Sequence, residues 1–214
     1  MQTHRIITLA LLIATPGLHA QSAQWEALGP GPSHSGQVEN ITNREVVGAV
    51  NSVAAHPTDP DILFVGAVNG GIWRTLNATA TAPNWTRLTD SLGSLSIGSI
   101  EFDPTDPQFQ TLLAGNARSS SLGRDGGALL GLLRSTDNGA SWSVLSALAN
   151  REILGVAARG DIMVAATDGG VYRSTNTGNT FSLLSGEASS GLPAGTSMDI
   201  AGHAGAPSVL YVAV

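Results

Sequence analysis

Short apolar runs, separated by glycine-rich or proline-rich turns, follow one another along the chain from about residue 50. Residues 62–66, 111–114 and 162–166 are runs of this kind, and each has the length of a β-strand. No segment sustains the three-to-four-residue spacing of an amphipathic helix, and residues 146–151 are long enough for one helical turn at most. The pattern predicts an all-β protein built from many short strands.

These runs belong to an internal repeat. Residues 51–85, 99–142 and 155–181 show the same order of strands and turns, and a fourth copy begins at Asp199. Each full copy has four strand-length segments, the third ending in Arg-Ser or Arg-Thr and the fourth marked by an aromatic residue. Four short strands recurring about every 40–50 residues are typical of propeller blades.

The repeat therefore predicts a β-propeller with four-stranded antiparallel blades. We expect blades at residues 46–92, 93–151 and 152–198, and the start of a fourth at residue 199. Because propellers typically have four to eight blades, we interpret the chain as an incomplete propeller. The alternative is a complete, unusually small β-domain.

One turn of the repeat has a distinctive sequence. Residues 135–142 read Ser-Thr-Asp-Asn-Gly-Ala-Ser-Trp, with Ser135, Asp137, Gly139 and Trp142 in the pattern S-x-D-x-G-x-x-W. An aspartate in such a turn accepts hydrogen bonds from nearby backbone N–H groups, and glycine permits a positive φ. The tryptophan then buries a large apolar surface between sheets.

Two other turns repeat this arrangement in weaker form. Residues 174–181 retain Ser174, Gly178 and Phe181 but have Asn176 in place of the aspartate, and residues 75–85 are a degenerate copy with an insertion. The repeat resembles the Asp-box, or BNR, repeat of sialidases, xyloglucanase-type glycoside hydrolases, sortilin-type receptors and photosystem II assembly propellers. The resemblance, strongest to exported bacterial proteins, implies that these turns are structural and lie opposite the active site.

The resemblance also implies that the loops between second and third strands lie on the ligand-binding face. The candidate ligand-contacting residues in those loops are Asn69, Arg118, Arg124, Asp125 and Asp168. The middle three lie in an insertion of about ten residues, which is either a ligand-contacting loop or a mobile polar excursion. The Asp-Gly-Gly sequence at Asp168 is also typical of a simple hairpin turn.

Catalytic residues are not identified. A glycosidase needs two carboxylates about 5–10 Å apart, whereas Asn69 stands where the xyloglucanase-type enzymes have a catalytic aspartate, and an amide cannot donate the proton. A sialidase would use a tyrosine nucleophile, but Tyr172 and Tyr211 fall in predicted strands. We expect a binding or scaffold module for a glycan or protein ligand. The alternatives are a glycoside hydrolase with part of its active site outside this chain, and a structural domain of a larger surface protein.

Composition excludes several kinds of site and of ligand. The chain has 214 residues, a formal net charge of −6 and no cysteine, which excludes disulfides, thiolate zinc sites and cysteine nucleophiles. Its arginines form no basic run, which argues against nucleic-acid binding. Two acidic groups, Asp59/Asp61 and Glu101/Asp103/Asp106, lie in proline-bracketed turns and are expected to be solvated turn residues. We expect no metal and no cofactor.

The N-terminus predicts export. Residues 6–14 form an apolar run that is too short to span a bilayer and is followed by Pro-Gly and a small residue at Ala20. We predict a signal peptide at residues 1–20, an N-terminal segment at 21–45, and a secreted or periplasmic location. No later segment is apolar enough to predict a membrane span.

Overall fold

The computed structural model describes residues 49–118, 126–203 and 205–214. Within these ranges nearly all regular structure is β, arranged as three four-stranded antiparallel sheets and one two-stranded antiparallel sheet. The described ranges contain a single helical turn, the 3-10 turn Ser146–Leu148, in the short segment where the sequence allowed at most one turn. The predicted signal peptide and N-terminal segment lie outside the described residues and stay predictions.

Every sheet is built from strands that are consecutive in the chain. The first sheet contains β1 (Val50–Ala55), β2 (Leu63–Ala67), β3 (Gly71–Thr75) and β4 (Trp85–Arg87). The second contains β5 (Ile97–Phe102), β6 (Leu112–Asn116), β7 (Leu132–Ser135) and β8 (Ser143–Leu145). The third contains β9 (Ile153–Arg159), β10 (Ile162–Thr167), β11 (Gly170–Ser174) and β12 (Ser182–Leu183). The fourth contains β13 (Asp199–His203) and β14 (Ala206–Ala213).

The sheets stack side by side through their first strands. β1 contacts β5, β5 contacts β9, and β9 contacts β13, so the first strand of each sheet is the inner strand. Glycine permits this close approach at equivalent places. A Cβ added to Gly66 in β2 would lie 2.6 Å from Ile97 Cγ2, and one added to Gly115 in β6 would overlap Ile153. Ile97 and Ile153 begin the next inner strands and are fully buried.

Three apolar clusters fill the spaces between successive sheets, which we call the first, second and third gaps. The first gap is centred on Phe64 and Ile72 of the first sheet and Leu112 and Leu133 of the second. The second gap is centred on Leu113 and Leu132 of the second sheet and Met163 and Ala165 of the third. The third gap is centred on Val164 and Val171 of the third sheet and Leu210 and Val212 of the fourth.

Two of the three aromatic residues lie one position before the fourth strand in which the sequence placed them. Trp85 lies in β4, as expected, but Trp142 and Phe181 come immediately before β8 and β12 rather than within them. Each of these two residues is the last of its turn, and the residue that follows it is the first to pair with the neighbouring strand. Both side chains still pack against the apolar clusters between sheets.

Candidate functional site

The antiparallel order of the strands defines two ends of the stacked sheets. The loop face carries the connections between second and third strands (residues 68–70, 117–118 with 126–131, and 168–169) and the links between sheets (88–96, 146–152 and 184–198). The turn face carries the connections between first and second strands and between third and fourth strands. Asn69, Arg118 and Asp168, the sequence-predicted ligand-face residues within the described ranges, belong to loop-face connections, and the 135–142 and 174–181 turns belong to the turn face.

The inner strands of the three four-stranded sheets, β1, β5 and β9, are each bulged where they leave the loop face. The pairing register shifts between Val50 and Ser52 in β1, between Ile97 and Ser99 in β5, and beside Ile153 in β9. A bulge bends its strand and redirects one side chain, and such features often border functional sites. In β1 the bulged residue is Asn51, whose amide donates to the Ile97 carbonyl at 2.9 Å and so ties the first sheet to the second.

Ser96 connects three segments of the loop face. Its hydroxyl donates to Asn69 Oδ1 at 2.6 Å and accepts from the backbone N–H of Gly127 at 2.8 Å. Asn69 is in the loop after β2, Ser96 is in the link before β5, and Gly127 is in the long loop between β6 and β7. Ser96 is fully buried, so this contact is shielded from water.

Asn69 and Arg118 both lie close to Gly126. A Cβ added at Gly126 would lie 2.5 Å from Ser96 Oγ, 2.6 Å from Arg118 Cγ and 3.0 Å from Asn69 Oδ1. Only a residue without a side chain allows the long loop to settle this closely on its neighbours. A shallow cavity of about 330 Å³ opens here, lined by Asn69, residues 92–96, Gly126 and Gly127.

Arg118 also engages a carboxylate that the sequence analysis did not single out. Its backbone N–H donates to Glu152 Oε2 at 2.5 Å, and its guanidinium Nε lies 3.4 Å from Glu152 Oε1. Glu152 is buried in the link before β9. The ion pair therefore joins the long loop of the second sheet to the third sheet. Nothing in the repeat pattern marks Glu152, because its partner is distant in the sequence.

Asp168 lies on the same face, in the turn between β10 and β11. Its Oδ1 is 3.8 Å from Arg151 Nη1, and both side chains are 40% exposed. The Arg151 guanidinium also lies over the Tyr172 ring, 4.9 Å from its centre. The backbone N–H of Asp168 donates to the carbonyl of Glu152 at 3.2 Å, which places Asp168 beside the Arg118–Glu152 pair.

Three of the five ligand-face candidates, Asn69, Arg118 and Asp168, thus lie in one connected region of the loop face. Arg124 and Asp125 fall outside the described residues and stay predictions. Ser96, Arg151 and Glu152 join the region in the structure. Ser96 and Glu152 directly precede the inner strands β5 and β9. This position is the one sequence signal that could have identified them as site residues.

On the turn face, the 135–142 turn is held by its own side chains. Ser135 Oγ donates to Asp137 Oδ1 at 2.8 Å and accepts from the Gly139 N–H at 2.9 Å. The N–H of Ser141 donates to Asp137 Oδ1 at 2.9 Å. Gly139 has φ of +78°, and its carbonyl accepts from Trp142 Nε1 at 3.1 Å. Each of the four motif residues thus takes part in a hydrogen bond within the turn.

The 174–181 turn has nearly the same geometry although an amide replaces the carboxylate. Ser174 Oγ donates to Asn176 Oδ1 and accepts from the Gly178 N–H, both at 2.9 Å, and the Thr180 N–H donates to Asn176 Oδ1 at 3.0 Å. Gly178 has φ of +81°. The turn after β3 keeps only its beginning, where Thr75 Oγ1 donates to Asn77 Oδ1 at 3.0 Å. Asn77 Oδ1 then accepts from the N–H of residue 84 across the insertion.

Among the described residues, the carboxylate of Asp137 accepts hydrogen bonds only from its own turn. Hydrogen bonds from the Ser141 hydroxyl and backbone, and from Ser135, hold the pKa of Asp137 below its usual value. A general acid at neutral pH requires the opposite shift. The turn-face position and the lowered pKa both argue against a catalytic part for this residue.

Glu101 is a carboxyl group that the sequence analysis placed among solvated turn residues, and this interpretation is wrong. It lies on inner strand β5, where desolvation by burial raises its pKa to about 7, against the opposing charge of Arg159. Its Oε1 accepts from Arg159 Nη1 at 3.2 Å, whereas Oε2 is buried without a hydrogen-bond partner. Arg159 Nε also donates to the carbonyl of Pro207 at 2.6 Å, so one guanidinium connects the second, third and fourth sheets.

Other acidic residues brace turns. Asp61 accepts from the hydroxyl of Thr79, and Asp106 accepts from the N–H of Thr111 at 2.9 Å. The expectation that Asp103 is solvated is wrong: it is buried, and its carboxylate accepts from the N–H of Gly160 in the third blade at 2.7 Å. Among residues 49–118, 126–203 and 205–214, no cluster of three or more histidine or acidic side chains is arranged to hold a metal ion. The same ranges contain no helix that is both long and apolar enough to cross a membrane.

Neither the known protein families nor the curated proteins include a match to this sequence. Solved structures do match. An ancestral GH74 enzyme superposes with a TM-score of 0.57 at 16% identity, covering 90% of this chain and 23% of the enzyme. The GH74 enzyme of Niastella koreensis gives 0.54 at 16% identity, covering 77% and 26%. YCF48 bound to a D1 peptide gives 0.46 at 20% identity, covering 66% and 42%.

The chain has a β-propeller fold. Its three four-stranded sheets correspond to propeller blades, and β13 and β14 correspond to the first two strands of a fourth. The predicted fold class is confirmed. The chain spans about a quarter of the length of the two GH74 enzymes, and at 16% identity the likeness establishes the architecture of the propeller and not its activity.

Proposed function

We propose that this protein is an exported Asp-box β-propeller that acts as a binding or scaffold module, with a glycan or protein ligand held on the loop face. The observation that carries this proposal is the convergence at Gly126, where three loop-face segments from two blades meet around Asn69, Ser96 and Arg118. Propellers are well suited to this task because rigid blades hold variable loops in fixed positions.

The chemistry of the face suits recognition by hydrogen bonding. Asn69 offers an amide, Arg118 and Arg151 offer guanidinium donors, and Asp168 offers an exposed acceptor. Both described carboxylates of this region, Glu152 and Asp168, are already paired with an arginine. A glycosidase requires one carboxyl group to hold a proton and another to remain free near the scissile bond. Paired carboxylates of this kind favour binding over hydrolysis.

A glycoside hydrolase is the second candidate. It is supported by the structural likeness to GH74 enzymes and by Glu101, whose pKa of about 7 is in the range of a general acid. Glu101, however, lies near the end of β5 that approaches the turn face, away from Asn69 and Arg118. Its contacts with Arg159 and the fourth sheet give it a structural explanation.

The serine, glycine and aromatic residues of the 135–142 and 174–181 turns, together with Asp137, are assigned to the Asp-box repeat as structural elements. Their pattern and hydrogen bonding support this assignment. Export through the signal peptide at residues 1–20 is part of the same proposal. It is checked by the N-terminal sequence of protein recovered outside the cytoplasm, which should begin at residue 21.

The binding proposal is tested by screening the full chain on glycan and peptide arrays, with release of reducing sugar measured on every glycan that binds. Any ligand found is then titrated against Asp168→Asn and Arg151→Gln. We expect affinity to fall about tenfold for each variant and no hydrolysis by the wild type. Asp161→Asn, which neutralises an exposed carboxylate in the turn between β9 and β10 on the opposite, turn face, is the matched control and should bind normally. Sugar release that is abolished by Glu101→Gln would instead establish the hydrolase.

A further inference from the structure

Asparagine followed directly by glycine occurs twice in the chain, at residues 69–70 and at residues 138–139. In such a pair the backbone nitrogen of the glycine can attack the side-chain amide carbon of the asparagine, because glycine has no side chain to hinder the approach. The first pair lies in the loop-face connection between β2 and β3, and the second lies in the turn after β7. The two pairs have the same chemistry, so any difference in their reactivity has to come from the fold.

In the second pair the attacking nitrogen is occupied. The backbone N–H of Gly139 donates to Ser135 Oγ at 2.9 Å, and Gly139 is buried. Asn138 is fixed as well, because its φ is +53° and its own backbone N–H donates to the carbonyl of Gln110 at 2.8 Å. Attack on the Asn138 amide would require this turn to give up hydrogen bonds, so the fold protects the second pair.

In the first pair the attacking nitrogen is available. Within residues 49–118, 126–203 and 205–214, no hydrogen bond engages the N–H of Gly70, and the Asn69 residue is exposed to solvent. The hydroxyl of Ser96 donates to Asn69 Oδ1 at 2.6 Å. A donor in this position stabilises the negative charge that develops on the amide oxygen when the amide carbon is attacked. The fold therefore exposes the first pair and supports its reaction.

The third blade shows how the same connection can be protected. Its Asp-Gly pair at residues 168–169 occupies the corresponding place between the second and third strands. There the glycine N–H donates to the hydroxyl of Thr167 at 3.1 Å. In the first blade, residues 67 and 68 are alanine and valine, which have no hydroxyl group. The first blade thus lacks the kind of side chain that holds the glycine nitrogen in the third.

We propose that Asn69 is a site of spontaneous deamidation in the folded protein, through ring closure with the backbone nitrogen of Gly70. This nitrogen forms a bond to Asn69 Cγ, and the bond between Cγ and Nδ2 breaks. The proton of the Gly70 N–H leaves with the amide nitrogen as ammonia, and a succinimide ring remains. Water then opens the ring at either of its two carbonyl groups, which gives aspartate or isoaspartate. The reaction needs no oxidant, reductant or cofactor.

Either product changes the loop face. A carboxylate replaces the amide beside Ser96 Oγ, in the region that also contains Arg118. In isoaspartate the main chain continues through the side-chain carbon, which lengthens the short connection between β2 and β3. Deamidation therefore adds a negative charge to the surface proposed above for ligand binding. The reaction itself does not depend on whether a ligand binds there, so it can be tested separately.

The test follows both asparagine-glycine pairs in one molecule. The full 214-residue chain is kept in mildly basic buffer, with and without guanidinium chloride, and the tryptic peptides 45–74 and 135–151 are analysed over time by tandem mass spectrometry. In the folded chain we expect Asn69 to deamidate about tenfold faster than Asn138, because the second pair has to break a hydrogen bond first. In the denatured chain the two rates should become similar. Equal rates in the folded chain, or an unchanged ratio after denaturation, would overturn the proposal.

Two glycine variants test the ring closure. Gly70→Ala adds a methyl group next to the attacking nitrogen, whereas Gly93→Ala adds the same group elsewhere on the loop face, where its nearest neighbour is Leu130 Cδ2 at 3.7 Å. Deamidation of Asn69 should slow severalfold in the first variant and be unchanged in the second, with circular dichroism confirming that both fold. An unchanged rate in Gly70→Ala would refute ring closure. If that variant does not fold, the comparison of Asn69 with Asn138 in the wild type remains decisive.

Discussion

The two ends of the propeller are held together in different ways. On the turn face, the side chains of Ser135 and Asp137 close their own turn through hydrogen bonds between residues that are two to four positions apart. On the loop face, Ser96 binds a residue 27 positions away and another 31 positions away, and Arg118 binds one 34 positions away. A local turn can be copied from blade to blade without changing its neighbours. A face built from long-range contacts differs in every blade, and such a surface can become specific for one ligand.

The largest expected effect comes from breaking the turn face at its glycine. Gly139→Ala forces a side chain into a backbone with φ of +78° and places its Cβ 2.5 Å from the Phe64 ring of the preceding blade. We expect the free energy of unfolding to fall by about 2–4 kcal/mol in urea titrations. Gly191→Ala is the control for backbone strain alone, because φ is +69° there and no atom lies within 4 Å, and it should cost about 1 kcal/mol.

A smaller effect is expected from breaking the loop face at its buried carboxylate. Glu152→Ala removes the acceptor for the Arg118 backbone and the charge opposite its guanidinium. We expect a loss of about 1–3 kcal/mol in the free energy of unfolding, together with faster proteolysis of the long loop between β6 and β7. Asp168→Ala breaks an exposed pair on the same face and should cost less than about 1 kcal/mol. Equal losses of unfolding free energy in Glu152→Ala and Asp168→Ala would contradict the expectation that the buried ion pair contributes more stability than the exposed one.

The burial of the Glu101 carboxyl group predicts a pH dependence of stability. The pKa of Glu101 is raised to about 7 in the folded protein, so the folded state binds a proton more tightly than the unfolded state, in which the pKa is near 4.5. Stability should therefore fall as pH rises from about 4.5 to about 7, by about 1–3 kcal/mol in urea titrations. Glu101→Gln should flatten this part of the profile. A slope of the same size in the variant would assign the effect to other groups.

The smallest effect concerns the chemistry of the turn itself. Asp137→Asn makes the second-blade turn like the third-blade turn, where Asn176 accepts the equivalent hydrogen bonds. We expect a change of less than about 1 kcal/mol at pH 7, because the side chain is close to the surface. The lowered pKa of Asp137 contributes stability above pH 3.8 that is lost as pH falls through its folded-state value. The variant should lack this acid-sensitive contribution, whereas Thr180→Ser should retain it.

The comparison of the two faces also explains which expectations from the sequence succeeded. The strand order, the four-stranded antiparallel sheets and the sharp turns follow from short-range alternation and turn chemistry, which each blade repeats. Asp103 is an exception on the turn side, because it is buried against Gly160 of the third blade. Glu101 is another exception, because it lies on a strand rather than in the proline-bracketed turn. Its burial depends on Arg159 from the next blade, and no local pattern indicates that neighbour.

The amino-acid sequence by itself determined that the protein is all-β, that its strands group in fours, and that a serine, a carboxylate or amide, and a glycine close each intact turn. These features depend on residues a few positions apart, so the chain specifies them wherever the pattern occurs. Only the tertiary structure decided that Asn69, Ser96, Arg118 and Glu152 share one surface and that Glu101 meets Arg159 of the next blade. Those features depend on how successive blades stack, and stacking brings together residues that have no fixed spacing in the sequence.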